Sequence, residues 1–341
     1  MPATAPTAGK LPSWRWLLDN CPCPRCLHPI TRERTVTLVD EWDVQPVSVT
    51  TDDNATVTVD WGDGHVGVFP IEMLIARSEL KLEPAALAPL QRMSHAALDT
   101  ERGMDQWLTT LLTNGAVVVE NTPNVSGEVI RMAERIGYAR PTNFGTIFDV
   151  ESRPDPNNSA YTAAGLDLHT DLPNWANPPD FQFLHALANE ASGGDSMLAD
   201  GFAVAKKLRV DDPKAYEVLA TTPVPFRFHD ASDDIRHTAP IIEVGTDDEP
   251  VAIRFNNWIR DVDVLADEQF YDAYLAMWHL LRDPDHVVTI RLAAGETLCF
   301  DNRRVLHGRS EFNPQSGRRH LQGCYVDRAM VESRLRRLSL R

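Results

Sequence analysis

The sequence predicts a mainly β protein with helices, a β-rich barrel or jelly roll preceded by a small β domain. Strand-like runs outnumber helical stretches and are irregularly spaced, and the two kinds do not alternate as βαβ units would. The first part of the chain holds only short alternating runs cut by Asp, Asn and Gly turns. Composition agrees. Of 341 residues, 43% are apolar and 24% charged, which excludes disordered, collagen-like and coiled-coil classes, and the length points to two domains. A formal net charge of −16 disfavours nucleic acid and anionic membrane surfaces as partners. No apolar run approaches the roughly 18 residues of a membrane helix, and Met1 to Lys10 lacks a signal's apolar core, so a cytoplasmic location is expected.

Taken in order, MPATAPTAGK reads as a loose terminus, and TVTLVD, VSVT, ATVTVDW and HVGVF as strands of a small antiparallel sheet. The Pro- and Ala-rich LEPAALAPLQRM marks a boundary, giving domains 1–90 and 91–341. Helices are expected at Asp105 to Thr113, Ser126 to Ile136, Phe202 to Arg209, Pro213 to Ala220 and Glu268 to Arg282. Asp212 before Pro213 is an N-cap followed by a first-turn proline. Strands are expected at AVVVE, FQFLHAL, PFRFH, VAIRF, HVVTIRL and ETLCF, and a helix in the basic ending RLRRLSLR.

Five cysteines, an odd number with three crowded into CPCPRC, suit metal binding in a reducing compartment better than a disulfide framework. Cys21, Cys23 and Cys26 lie on a Pro-rich turn where their thiolates can converge, and a tetrahedral zinc site needs one more ligand. His28 is nearest in sequence, but His65, in WGDGHVGVF, is better separated and is favoured. Four protein ligands close the ion to substrate, so its role is structural.

In GLDLHTDLP, His169 and Asp171 alternate, so on a strand both would leave one face and share one ligand. An imidazole, a carboxylate and one further histidine form the facial triad that leaves three positions open on ferrous iron. His307, after the apolar run and turn of ETLCFDNRRVLHGRSEF, is the best-placed third ligand. An arginine follows it in RRHLQGCYVD, where a guanidinium fork can grip the far carboxylate of a chelating 2-oxo diacid.

The texts WLLDNCPCPRC, WGDGH, NNSAYTAAGLDLHTDLP, FQFLHALANEASGGDSMLADGF, RFNNWIRD, DNRRVLHGRSEF and RRHLQGCYVD, in this order across nearly the whole chain, resemble the gamma-butyrobetaine hydroxylase branch of the 2-oxoglutarate-dependent, taurine-dioxygenase-like oxygenases. The resemblance implies a double-stranded β-helix, that is, a jelly-roll catalytic domain, after a zinc-binding N-terminal domain. It implies structural zinc on Cys21, Cys23, Cys26 and His65, and Fe(II) on His169, Asp171 and His307 as the catalytic centre. It further implies 2-oxoglutarate held by Arg319, which directly precedes the HLxGxY text, with help from Ser196 and packing by Leu184. Arg318 is the rival; neighbours on a strand face opposite sides, so one of the two points inward. A trimethylammonium group calls for a cage of aromatic faces, which the resemblance puts at Phe144, Phe148, Tyr161 and Tyr325. The substrate carboxylate would meet Asn158 and either Asn256 or Asn257, while Leu172 stands where some members carry a tyrosine. The implied reaction is hydroxylation of gamma-butyrobetaine at C3 to L-carnitine, with succinate and carbon dioxide released and ascorbate as reductant. Trimethyllysine and trimethylammonium phosphonates are the alternative substrates, and a homodimer is the implied assembly. The intact triad together with Arg319 argues against a metal-bound interaction module without catalytic activity.

Overall fold

The computed structural model describes residues 12–41, 43–52, 56–62, 64–70, 73, 82–152, 162–261 and 268–339. By internal contacts the chain separates into two units, Met1–Lys81 and Leu82–Arg341, so the break precedes the expected residue 90. The Pro- and Ala-rich stretch belongs to the larger unit. The Ala85 N–H donates to the Thr113 carbonyl at 2.8 Å, and Leu87 is buried in that unit's core.

The first unit opens with helix α1 (Trp14–Asp19), capped by Ser13, whose hydroxyl accepts from the Trp16 N–H. Strands β1 (Ser48–Thr51), β2 (Thr56–Asp60) and β3 (Val66–Pro70) form an antiparallel sheet. Alternation in β2 buries Val57 and Val59 against Leu17, Leu18, Trp61 and Phe69. The run TVTLVD, expected as a strand, is a turn. Asp40 and Glu41 return their N–H groups to the Thr37 and Leu38 carbonyls, and the Thr35 N–H is drawn to the Cys26 carbonyl. Val36 and Leu38 still pack on the same core, so their burial is met without a ladder.

The second unit contains β4 (Gln91–Ser94), α2 (Glu101–Asn114), β5 (Ala116–Glu120), α3 (Glu128–Glu134), β6 (Phe148–Glu151), β7 (Leu166–His169), β8 (Phe181–Asn189), β9 (Ser192–Gly193) and β10 (Ser196–Asp200). After these come α4 (Gly201–Asp211), α5 (Pro213–Thr221), β11 (Val224–His229), β12 (Asp234–Ala239), β13 (Ile242–Val244) and β14 (Pro250–Ile253). The chain ends with α6 (Glu268–Arg282), β15 (Val287–Ile290), β16 (Thr297–Asp301), β17 (Val305–Arg309), β18 (Phe312–Asn313), β19 (Arg319–Val326) and α7 (Arg328–Ser339). Asp212 caps α5 as expected, its carboxylate accepting from the Ala215 N–H at 3.0 Å.

Two sheets carry the site, one ordered β4-β5-β16-β8-β19-β6 and one β15-β10-β17-β7. Period-two alternation sorts their side chains. Leu198, Val305, Leu298, Ala186 and Leu321 form a core between the sheets, whereas Ala199, Leu306 and Leu168 face α4, α5 and α6 on the outside. This is the expected double-stranded β-helix with helical packing. Because Leu168 and Leu306 point outward, His169 and His307 point inward, toward the open end of the core.

Candidate active site

His169 is the last residue of β7 and pairs in register with His307 on β17. Gly308, next to it, permits the close approach: a Cβ there would stand 2.7 Å from the Leu166 carbonyl oxygen. Asp171 was expected on the same strand, but the strand stops at His169 and Asp171 lies in the following bend. That bend is clamped by buried Asn302, whose side-chain carbonyl accepts the Asp171 N–H at 2.7 Å and whose amide donates to the Asp171 and Pro179 carbonyls. Leu172 follows at φ 54°, a left-handed conformation costing a side-chain-bearing residue about 1–3 kcal/mol. The Asn302 hydrogen bonds help to hold it there.

The ligand atoms of His169, Asp171 and His307 lie within 4.8 Å of one another. Asp171 Oδ1 is 3.4 Å from His169 Nε2 and 3.8 Å from His307 Nε2. His169 Nδ1–H donates to the Asp167 carbonyl at 2.8 Å, which leaves the Nε2 lone pair facing the cavity. The Asp167 side chain is itself fixed from α6 by Trp278 Nε1 at 2.7 Å and Arg282 Nε at 2.9 Å. Burial pushes His307 down to about 3, so it is neutral at physiological pH. Burial opposes ionisation of Asp171, yet His307, His169 and the Tyr325 hydroxyl hold it well below the usual carboxylate range. Two imidazoles and one carboxylate are the donor set that a ferrous ion takes, with the remaining positions left for co-substrates.

Farther into the cavity lie Leu184, Ser196 and Arg319. Arg319 is 7% exposed and its Nε–H donates to the Gly194 carbonyl at 3.3 Å. Gly194 has φ +77°, and a Cβ there would stand 2.7 Å from Arg319 Nε, so glycine leaves room for the guanidinium. Arg318 is exposed and touches His320 Nδ1. Arg309, two residues after His307, also lines the cavity and donates to the Thr162 and Ala164 carbonyls at 2.8 and 2.6 Å. Both guanidinium groups lie over the Phe312 ring, at 5.4 Å for Arg319 and 5.0 Å for Arg309. Burial pushes each down to about 10, and both stay charged at neutral pH.

The lining is also aromatic. Phe148 tilts against Tyr325 at 5.1 Å, Phe144 meets Phe228 edge-on at 5.4 Å, and Trp258 stands 4.5 Å from the His169 ring. All five line the same cavity. Asn256 is buried there, accepting from the Trp258 and Ile259 N–H groups, whereas Asn257 is exposed and outside the lining. The expected contacts at Asn158 and Tyr161 lie outside the described residues. Sequence reasoning missed Arg309, Asn302, Phe228 and Trp258. Arg309 was within reach of the alternation argument applied to His169 and Asp171, since it follows His307 by two on a strand.

In the first unit, Cys21, Cys23, Cys26 and His65 bring their ligand atoms within 4.8 Å of one another. His65 Nε2 is 3.3 Å from Cys21 Sγ and 3.1 Å from Cys26 Sγ, and its ring stacks on Trp61. Gly67 makes room, because a Cβ there would stand 2.8 Å from Cys21 Sγ. His28 instead receives the Thr31 N–H on its Nδ1 at 3.0 Å.

Comparison with known proteins agrees with this division. Residues 9–75 match the family model described as gamma-butyrobetaine hydroxylase-like, N-terminal, and residues 86–325 match taurine catabolism dioxygenase TauD, TfdA family. The chain belongs to the TauD/TfdA dioxygenase family. Among its relatives in this family, the gamma-butyrobetaine dioxygenase of Pseudomonas sp. (strain AK-1) is 40% identical over 94% of this chain and 88% of that protein. The gamma-butyrobetaine dioxygenase of Homo sapiens is 33% identical over 96% of this chain and 90% of its own. A solved structure of asparagine oxygenase with Fe(II), hydroxyasparagine and succinate superposes with a TM-score of 0.54 at 20% identity. It covers 68% of this chain and 82% of that one, a likeness of fold. Among the described residues no helix is long and apolar enough to cross a membrane.

Proposed function

We propose that this chain is an Fe(II)- and 2-oxoglutarate-dependent dioxygenase that hydroxylates gamma-butyrobetaine at C3, forming L-carnitine, succinate and carbon dioxide. The observation that carries the substrate class is the lining of the cavity. Beside the triad stand five aromatic rings, and among the described lining residues the only carboxylate is Asp171. A cation that cannot donate hydrogen bonds is held by ring faces in such a chamber, whereas a primary ammonium would need acceptors. Relatives named gamma-butyrobetaine dioxygenases support the particular substrate.

His169, Asp171 and His307 would hold ferrous iron, which when bound couples oxidative decarboxylation of 2-oxoglutarate to hydroxylation of a substrate C–H. Arg319, with Ser196 and Leu184 beside it, would grip the far carboxylate of 2-oxoglutarate by a charge-assisted fork. Phe144, Phe148, Phe228, Trp258 and Tyr325 would fix the cationic end, and the Asn256 amide the carboxylate end. Gripping both ends places one C–H at the reactive centre, and rate depends steeply on such placement. Cys21, Cys23, Cys26 and His65 would hold zinc in a structural role. Ascorbate as reductant, a homodimer and a cytoplasmic location complete the reading.

The test is succinate formation by purified protein with Fe(II), 2-oxoglutarate, oxygen and ascorbate, with and without gamma-butyrobetaine, and the product mass read for one added oxygen. Succinate rising in step with hydroxylated product is expected. Coupled turnover only with trimethyllysine or a trimethylammonium phosphonate would move the substrate assignment, and no succinate under any condition would end the dioxygenase reading.

A further inference from the structure

The geometry points to a second role for Tyr325: its hydroxyl is a positioning group that keeps the Asp171 carboxylate monodentate, so that the iron site retains enough open positions for its chemistry. This rests on the proposed iron reading and adds to it a residue otherwise assigned only to the aromatic wall. The Tyr325 O–H donates to Asp171 Oδ2 at 2.7 Å. The other oxygen, Oδ1, is the one turned toward both imidazoles, 3.4 Å from His169 Nε2 and 3.8 Å from His307 Nε2. The two carboxylate oxygens are therefore divided between tasks, one facing the metal position and one held by the phenol.

The division matters because of coordination arithmetic. A facial triad leaves three positions open on an octahedral ferrous ion. A chelating 2-oxo acid takes two of them, and the last must stay free for the second co-substrate. A bidentate Asp171 would take that last position. Tyr325 is well suited to prevent this, because its place does not depend on substrate. It is 3% exposed on β19, its carbonyl accepts the Arg140 N–H at 2.8 Å, and its ring is backed by Phe148. From the other side, Asn302 fixes the Asp171 backbone, so the carboxylate is held at both its stem and its outer oxygen. In one residue the ring faces the chamber and the hydroxyl orients the ligand, and these two functions are separable by substitution.

Tyr325→Phe keeps the ring and removes the hydroxyl. Anaerobic Fe(II) titration of the full-length chain, followed by protein fluorescence with and without 2-oxoglutarate, is expected to show affinity lowered roughly 10- to 100-fold, the usual range for loss of an outer-shell partner. At saturating Fe(II), the KM for gamma-butyrobetaine should stay within about twofold, since the ring face persists, while succinate formed per hydroxylated product rises. Tyr325→Leu, which loses both functions, should show the same loss of Fe(II) affinity and a raised KM as well. Unchanged Fe(II) affinity and coupling in Tyr325→Phe, beside normal Fe(II) binding by the parent, would overturn the positioning role and leave the dioxygenase reading intact. A parent chain that binds no Fe(II) would overturn both.

Discussion

The molecule builds two clusters of metal-ligand residue types from similar parts by opposite strategies. In the first unit, Cys21, Cys23 and Cys26 come from one short turn and are completed by His65 from the edge of a three-stranded sheet. In the second, His169 and His307 come from paired strands and Asp171 from a clamped bend, with no fourth ligand among the described residues. Four thiolate and imidazole donors close a tetrahedral ion and commit it to holding the chain together. Two imidazoles and a carboxylate on one side of an ion leave the other side to substrates. What surrounds them follows the same division. The cysteine cluster is packed into the unit's core with Leu17, Leu18 and Phe69, whereas the triad opens on a cavity lined by two guanidinium groups and by aromatic rings.

The sharpest way to break this comparison is to remove one ligand from each site and ask which property is lost. Asp171→Ala should lower turnover at least about 1,000-fold, a loss on the order of 4 kcal/mol in transition-state stabilisation, while zinc content by elemental analysis and the unfolding transition of the first unit stay unchanged. Cys26→Ser should do the reverse. Structural zinc contributes on the order of 10 kcal/mol in small domains, so residues around Trp14, Trp16 and Trp61 should lose protection from proteolysis while the second unit retains Fe(II) binding. If Cys26→Ser instead abolished Fe(II) binding and left the first unit folded, the assignment of a structural and a catalytic site would be wrong.

Within the second unit, the comparison sharpens to two sets of side chains that line one cavity. Arg319→Gln should raise the KM for 2-oxoglutarate by roughly 10- to 100-fold, the loss expected when a charge-assisted hydrogen bond of about 1.5–3 kcal/mol is removed. Arg318→Gln, at the exposed position just before the same strand, should stay within about twofold of the parent. Trp258→Ala should raise the KM for the quaternary ammonium substrate by several-fold up to about 30-fold, a cation–π loss of about 0.5–2 kcal/mol, with the KM for 2-oxoglutarate little altered. Equal effects of the Arg319 and Trp258 substitutions on both co-substrates would mean that the cavity is not divided in this way.

These residues also show what a sequence makes legible. Both clusters of ligand-type side chains could be read because ligand chemistry restricts residue type, and the structure brings each cluster together. The choice of Arg319 over Arg318 rests on the HLxGxY text that it directly precedes, alternation saying only that one of the two points inward, and the structure buries Arg319 and exposes Arg318. Where alternation ends, so does legibility. Asp171 lies beyond the end of β7, and its place is set by Asn302, a residue 131 positions away whose clamp leaves no periodic signature. TVTLVD has the composition of a strand, but the pull of Thr35 toward the cysteine turn decides its shape. Phe228 and Trp258 reach the cavity from β11 and from the loop after β14, positions fixed by tertiary packing.

The smallest expected effect concerns adjacent asparagines that sequence could not separate. Asn256 is 3% exposed and its side-chain oxygen accepts the N–H groups of Trp258 and Ile259 at 3.2 and 3.3 Å, while its amide reaches the Thr170 carbonyl at 3.4 Å. It thereby shapes the loop that presents Trp258 and ties that loop to the residue between His169 and Asp171. Each such hydrogen bond contributes about 1 kcal/mol, so Asn256→Ala should raise the KM for gamma-butyrobetaine roughly 5- to 20-fold and leave 2-oxoglutarate binding within about twofold. Asn257→Ala, at an exposed position outside the cavity lining, should change neither constant by more than about twofold. Steady-state KM values for both co-substrates in the two variants decide the matter. A large effect at position 257 with none at 256 would mean that the loop turns over when substrate binds, bringing the outer amide to the carboxylate in place of the inner one.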